Sequence, residues 1–140
     1  MTETFAFNND SLEKVKFALS KYPEGREQSA VMSLLDIAQR QNGGWLSKSA
    51  IEHVASHLEM PYIKVYEIVT FYSMYYTTPV GKYFVQVCTT TPCWLKGSDE
   101  VVKACKETIS NDQNELSEDG LFSWMEVECL GACVNAPLVQ

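Results

Sequence analysis

A chain of 140 residues, 46% hydrophobic and 21% charged, can bury a sizeable core as one domain or two small ones, and it has no apolar run near the roughly 20 residues needed to cross a bilayer. The formal net charge is −7, with 7 basic and 9 acidic side chains in residues 1–80 and 4 and 9 in residues 81–140, which argues against a nucleic-acid partner, since binders of the phosphate backbone need a basic stripe. The opening MTETFAFNND has neither a basic n-region nor an Arg-rich amphipathic pattern, which predicts no secretory signal or organelle presequence and a reducing cytosol as the compartment, a processed matrix protein having the same appearance.

Up to about Thr78 the apolar residues recur at helical spacing. Asp10 or Ser11 is expected to cap a first helix with Leu12, Val15, Phe17 and Leu19 on its apolar stripe, ended by Pro23 and Gly25. A second helix is predicted over residues 26–41, with Val31, Leu34, Leu35 and Ala38 facing a core. Gly43-Gly44 ends it, and Ser47 is placed to cap a third, in which Ile51, Val54, Ala55 and Leu58 share one face. Pro61 suits the first turn of a fourth, running to about Met74, because proline there gives up only a backbone N–H that has no helical partner.

After Pro79 and Gly81 the period changes. KYFVQVC, residues 82–88, predicts a buried strand ending at Cys88. Residues 98–109, SDEVVKACKETI, predict a helix capped by Ser98 that buries Val101, Val102, Cys105 and Ile109. A polar, turn-rich stretch follows, then LFSWMEVEC, which alternates with the period of a half-buried strand and ends at Cys129; APLVQ begins another strand. The reading is an α+β chain: an N-terminal four-helix segment over residues 1–80, expected to dock a partner, then a small α/β unit over residues 81–140 with cysteines just past two strand ends.

Four of the five cysteines form two pairs, Cys88-x4-Cys93 and Cys129-x3-Cys133, 35 residues apart. Ligands collect at the carboxyl ends of strands in open sheets, so the two loops can bring four thiolates to one edge. Cys105 falls on a helical apolar stripe and reads as an inert core residue. A reducing compartment disfavours disulfides. Structural zinc stays open, since all-cysteine sites use similar spacings. A 2Fe-2S cluster is favoured by the small or hydroxylic neighbours Thr89, Thr90, Thr91, Gly131 and Ala132, with Leu130, which let N–H and O–H groups approach sulfur. Binding of no metal is the third possibility.

Other features have plain readings. His53 and His57 stand at i, i+4, but the position after the first is Val54 rather than a glutamate, and both are expected on the surface. Tyr66, Phe71, Tyr72, Tyr75 and Tyr76 are expected in a core or subunit interface. With no G-x-G-x-x-G or P-loop anywhere, nucleotide binding by this chain has no support.

VCTTTPCWLKGSDEV and VECLGACVNAPLVQ, with QNGGWLSKSAIEHVA and MPYIKVYEIVTFYSMY upstream, resemble the thioredoxin-like 2Fe-2S subunit of the NADH dehydrogenase module of respiratory complex I, a family of NADH-quinone oxidoreductase subunits. The resemblance runs from about Phe5 to Gln140. It implies a thioredoxin-like α/β ferredoxin domain whose cluster ligands are Cys88, Cys93, Cys129 and Cys133, and a terminal segment beyond Gln140 that this sequence does not carry, leaving the last strand truncated. It further implies electron transfer in complex I, with FMN and NADH on a partner flavoprotein subunit, contacts with other peripheral-arm subunits, and a place peripheral to the inner membrane without a span of its own. Relatives of that family also serve NAD-linked hydrogenases and formate dehydrogenases. An added electron increases the negative charge of a four-thiolate centre in an acidic, partly apolar setting, so a low reduction potential is expected. A freely diffusing ferredoxin is disfavoured by the helical extension, which a docking subunit needs and a shuttle does not. A zinc-stabilised adaptor without redox activity would be colourless.

Overall fold

The computed structural model describes residues 4–140, and the chain divides after Pro79 into two compact units. Among the described residues no helix is long and apolar enough to cross a membrane.

The first unit is helical. Helix α1, Asn9–Leu19, starts earlier than its sequence suggests: Asn8, in extended backbone, is the cap, and its Oδ1 accepts the Ser11 N–H at 2.8 Å. Ser11 is therefore inside the first turn and buried with Val15 and Ala18. That stripe leaves Phe17, expected inward, 66% exposed, with Lys21 Nζ 4.6 Å over its ring. Helix α2, Val31–Gln41, follows a 3₁₀ turn at Glu27–Ala30 that takes the place of the expected first helical turn. Val31, Leu34, Leu35 and Ala38 are all buried, on the face their spacing assigns to the core.

Helix α3, Lys48–His57, begins where Ser47 Oγ accepts the Ala50 N–H at 3.2 Å. It buries Ile51, Val54 and Ala55, and Leu58 follows just beyond it. Helix α4, Tyr62–Phe71, has Pro61 at its cap position rather than within its first turn, and it ends three residues before Met74. The chain then folds back instead of continuing the helix. Tyr75 is buried and donates its hydroxyl to Met32 O at 3.0 Å, while the Gln39 side chain accepts from Tyr76 N–H and donates to Met74 O, each at 3.0 Å. Those bonds satisfy backbone groups that a continued helix would have paired internally. Burial pushes the Tyr75 phenol up to about 12.

The second unit is a βαβ crossover. Strand β1, Tyr83–Cys88, leads through a one-turn helix α5, Thr91–Leu95, and helix α6, Ser98–Thr108, to strand β2, Phe122–Val127. The strands pair in parallel, from Tyr83 opposite Phe122 to Cys88 opposite Val127. On the other side of β1 the last residues run antiparallel: Val139 bridges Val87, the Gln86 N–H donates to Gln140 O at 2.8 Å, and the Cys88 N–H donates to Leu138 O at 3.0 Å. The core is Val87, Cys105 and Trp124, flanked by Val85, Val101, Val102 and Ile109. Trp124 is wholly buried, and its indole N–H is satisfied by Ser110 O at 2.8 Å. Gly81 sits so close to β2 that a Cβ there would overlap the Phe122 and Ser123 backbone.

Candidate metal centre

Strand β1 delivers Cys88 as its last residue, at the carboxyl end of the sheet. Thr89 and Thr90 carry the chain out of the strand, and Pro92, early in α5, pre-sets helical backbone so that Cys93 rides on a helical turn, not in a loop as its sequence suggests. β2 stops at Val127, two residues before Cys129 rather than at it. The chain turns at Gly131, where φ is +80° and a side chain would be strained, and Cys133 opens a 3₁₀ turn to Asn135.

These elements bring the two pairs together. Cys88 Sγ lies 3.1 Å from the Thr90 hydroxyl. Cys129 Sγ and Cys133 Sγ are 3.4 Å apart, and the Gly131 N–H donates to Cys129 Sγ at 3.4 Å. The Thr90 hydroxyl is the main reason the Cys88 thiol is brought down to about 7, with the Cys93 thiol and the N–H groups of Leu130 and Thr90 adding to it against the effect of burial. Leu130 belongs to the segment that carries the second pair, so one cysteine segment donates to the thiol of the other.

Burial, then donation to Cys88, pushes the Cys93 thiol up, partly offset by the Leu138 N–H, and the charge of Cys133 reaches it as well. Cys133 is raised first by its hydrogen bond with Cys129 and also feels Cys88. The four thiols form one electrostatic group, with Cys88 and Cys93 1% and 0% exposed and Cys129 and Cys133 at the surface.

The donor set is four soft thiols, a ligand type shared by iron–sulfur groups and zinc. The sulfurs stand as two hydrogen-bonded pairs, Cys88 with Cys93 and Cys129 with Cys133, and would together supply the four thiolates of a 2Fe-2S group. Soft thiolates with N–H and O–H donors aimed at sulfur are the ligand chemistry such a group requires.

The family described as thioredoxin-like 2Fe-2S ferredoxin matches residues 15–140. The chain belongs to this ferredoxin family. The E subunit of NADH-quinone oxidoreductase from Rickettsia typhi (strain ATCC VR-144 / Wilmington) is 56% identical over 137 residues, 98% of this chain and 81% of the relative. Its counterpart of the same name from Rickettsia prowazekii (strain Madrid E) is 54% identical over 98% of this chain and 77% of its own length. The mitochondrial NADH dehydrogenase (ubiquinone) flavoprotein 2 of Dictyostelium discoideum is 49% identical over 135 residues, 96% of this chain and 55% of that protein.

Residues outside the group of four cysteines separate clearly from it. Cys105 is buried on α6 beside the sheet, and burial raises its thiol, as expected of an inert core cysteine. His57 is exposed, but His53 is half-buried, a correction to its surface reading. The segment before α1 lies over α3 and covers it: the Phe5 and Phe7 rings stand 5.6 and 5.0 Å from the His53 ring, edge-on. Gln41 fastens that segment by donating to Ala6 O at 2.8 Å and accepting the Asn8 N–H at 3.0 Å. Burial, then the nearby His57, lowers the His53 pKa. Leu138 has no sequence signal as a donor to Cys93, because only the pairing of the last residues with β1 puts it there.

Proposed function

We propose that this chain is the electron-transfer subunit of an NADH:quinone oxidoreductase, holding one 2Fe-2S cluster on Cys88, Cys93, Cys129 and Cys133. In this reading it exchanges single electrons with the FMN of a partner NADH-binding flavoprotein subunit. The observation that carries it is the meeting of two thiol pairs at one end of two parallel strands, in a chain aligned over 98% of its length with a rickettsial NADH-quinone oxidoreductase subunit. The bound cluster supplies one-electron carriage at low potential. The chain's own groups do the rest. Thr90, Leu130, Gly131 and Leu138 present donors to the sulfurs, those of Thr90 and Leu130 favouring the Cys88 thiolate, and the exposed Cys129–Cys133 pair keeps one side of the centre close to a docked partner.

The surface supports a docking role. Trp94, Leu95 and Val134, on the turns that carry Cys93 and Cys133, are exposed, Val134 fully. In the helical unit Ile63, Met74 and Phe71 are exposed, Phe71 by 80%. Large apolar side chains exposed in this way are the kind a partner surface covers. Residues up to Pro79 thus form a docking segment for the flavoprotein and other peripheral-arm subunits, the cluster residing in the unit that follows. The assembly places the chain on the cytoplasmic face of a bacterial inner membrane, or on the matrix side in an organelle.

The test is electron exchange in the assembled pair. With the flavoprotein subunit present, electrons from NADH are expected to equilibrate with the cluster, as read by its paramagnetic signal, while NADH leaves the isolated chain oxidised. Reduction of the isolated chain by NADH, or no exchange at any poised potential in the pair, contradicts the proposal. Phe71→Glu and Val134→Glu are each expected to weaken that pairing at least tenfold while leaving the cluster spectrum alone.

A further inference from the structure

Helix α6 begins in an unexpected way. Its sequence marks Ser98 as the cap, yet Gly97 holds that position at φ +93°, and Ser98 is the first residue inside the helix. A serine in a first turn ordinarily offers its hydroxyl to solvent or to nearby backbone groups. This one does neither. Ser98 is 0% exposed, and its Oγ has no hydrogen-bond partner among the described residues, the one buried side-chain nitrogen or oxygen among them left so. A buried hydroxyl without a partner is destabilising and calls for one.

The fold tells where that partner lies. Ser98 heads the stripe continued by Val101, Val102, Cys105 and Ile109, whose members pack with Val85, Val87 and Trp124 of the sheet, so its side chain is on the face that α6 turns to the strands. β1 and β2 are parallel, and a helix joining parallel strands runs back against them. The first turn of α6 therefore stands at the carboxyl ends of the strands, where Cys88 closes β1 and α5, packed on α6, carries Cys93. Asp99 and Glu100, in the same turn, are exposed and lie off that face.

We propose that the Ser98 hydroxyl donates a hydrogen bond to sulfur of the cluster held by the two cysteine pairs, and that this bond makes the cluster easier to reduce. The proposal rests on the function given above. An added electron raises the negative charge on sulfur, and a donor aimed at it favours the reduced state. The positive end of the α6 dipole acts in the same direction. Ser98 is a positioning and tuning residue and not a ligand.

The test compares the cluster-loaded full chain with Ser98→Thr, which keeps the hydroxyl, Ser98→Val, which has the shape of threonine without it, and Ser98→Ala, which removes it without added bulk. The Val and Ala variants are expected to show a lower reduction potential than wild type. Both should also lose one exchangeable-proton coupling from the paramagnetic spectrum of the reduced protein, identified by transfer to deuterated water. The Thr variant is expected to keep both. Wild-type potential and coupling in loaded Ala and Val variants would overturn the role of Ser98 alone, since the hydroxyl would then be met by something other than the cluster. A wild-type chain that takes up no iron and sulfide contradicts the function itself.

Discussion

The Thr90 hydroxyl lies 3.1 Å from Cys88 Sγ, and this contact joins a residue just outside β1 to the thiol that ends it. The donated hydrogen bond is the largest cause of a Cys88 pKa near 7. Thr90→Val removes the donor and is expected to raise that pKa, so that in the metal-free chain alkylation of Cys88 at neutral pH slows, while Thr90→Ser keeps the wild-type rate. Equal rates in the Val and Ser variants would remove Thr90 from the account.

Cys105 gives a complementary expectation. It packs on the sheet from α6, apart from both pairs, so Cys105→Ala is expected to cost on the order of 1 kcal/mol of stability and to leave the cluster spectrum unchanged. Serine at Cys88, Cys93, Cys129 or Cys133 is expected to shift or abolish it. Loss of the cluster in a folded Cys105→Ala protein would mean that a ligand has been misassigned.

Gly81 links the fold to the centre. Because a Cβ there would meet the Phe122 and Ser123 backbone, Gly81→Ala forces the start of β1 away from β2 and is expected to destabilise the protein by roughly 1–3 kcal/mol. Cluster uptake should weaken with it, since both cysteine segments hang from those strands. Thermal unfolding and iron content of the variant check this together, and a variant as stable as wild type would show that the strands move apart without penalty.

His53 makes the helical unit sensitive to acid. Its folded-state pKa is lowered by burial beneath Phe5 and Phe7, so the neutral ring is favoured in the folded protein. The associated stability is present above the unfolded value of about 6.5 and is lost as pH falls through the lower folded value. Denaturant unfolding between neutral pH and pH 5 is expected to show a decline in stability that His53→Gln makes shallower. An unchanged slope in that variant would indicate that His53 titrates as it does when unfolded.

Much of this was legible from periodicity. The buried faces of α2 and α3 fall where the spacing of Val31, Leu34, Leu35 and Ala38, and of Ile51, Val54, Ala55 and Leu58, puts them, because apolar burial at helical period is a local signal. Ser47 caps α3 for the same local reason. What failed depended on the tertiary partner. Phe17 has the right polarity for a core, but at 3.6 residues per turn it lies on the far side of α1 from Val15 and off the Ser11–Val15–Ala18 stripe that the neighbouring helices cover. α4 stops at Phe71 because Gln39 and Met32 capture the following backbone and Tyr75. Ser98 reads as a cap, yet Gly97, at a positive φ, takes that place and turns Ser98 inward. At the centre, the paired cysteines and the hydroxyl of Thr90 were visible in the spacing. Leu130, beside Cys129, is among the neighbours that the sequence shows able to bring N–H groups to sulfur, though nothing in it says that this group would reach Cys88; the Leu138 N–H on Cys93 comes from a segment remote in sequence and from a backbone atom every residue has, so no residue type could announce it.

The central claim is that the four thiols hold a binuclear iron–sulfur group, and anaerobic reconstitution with iron and sulfide, followed by metal and sulfide analysis and paramagnetic spectroscopy of the reduced protein, tests it most directly. The expected result is about two iron and about two sulfide per chain, visible colour, and a one-electron paramagnetic signal on reduction. A colourless chain holding one tightly bound zinc, with all four cysteines protected from alkylation, would contradict it.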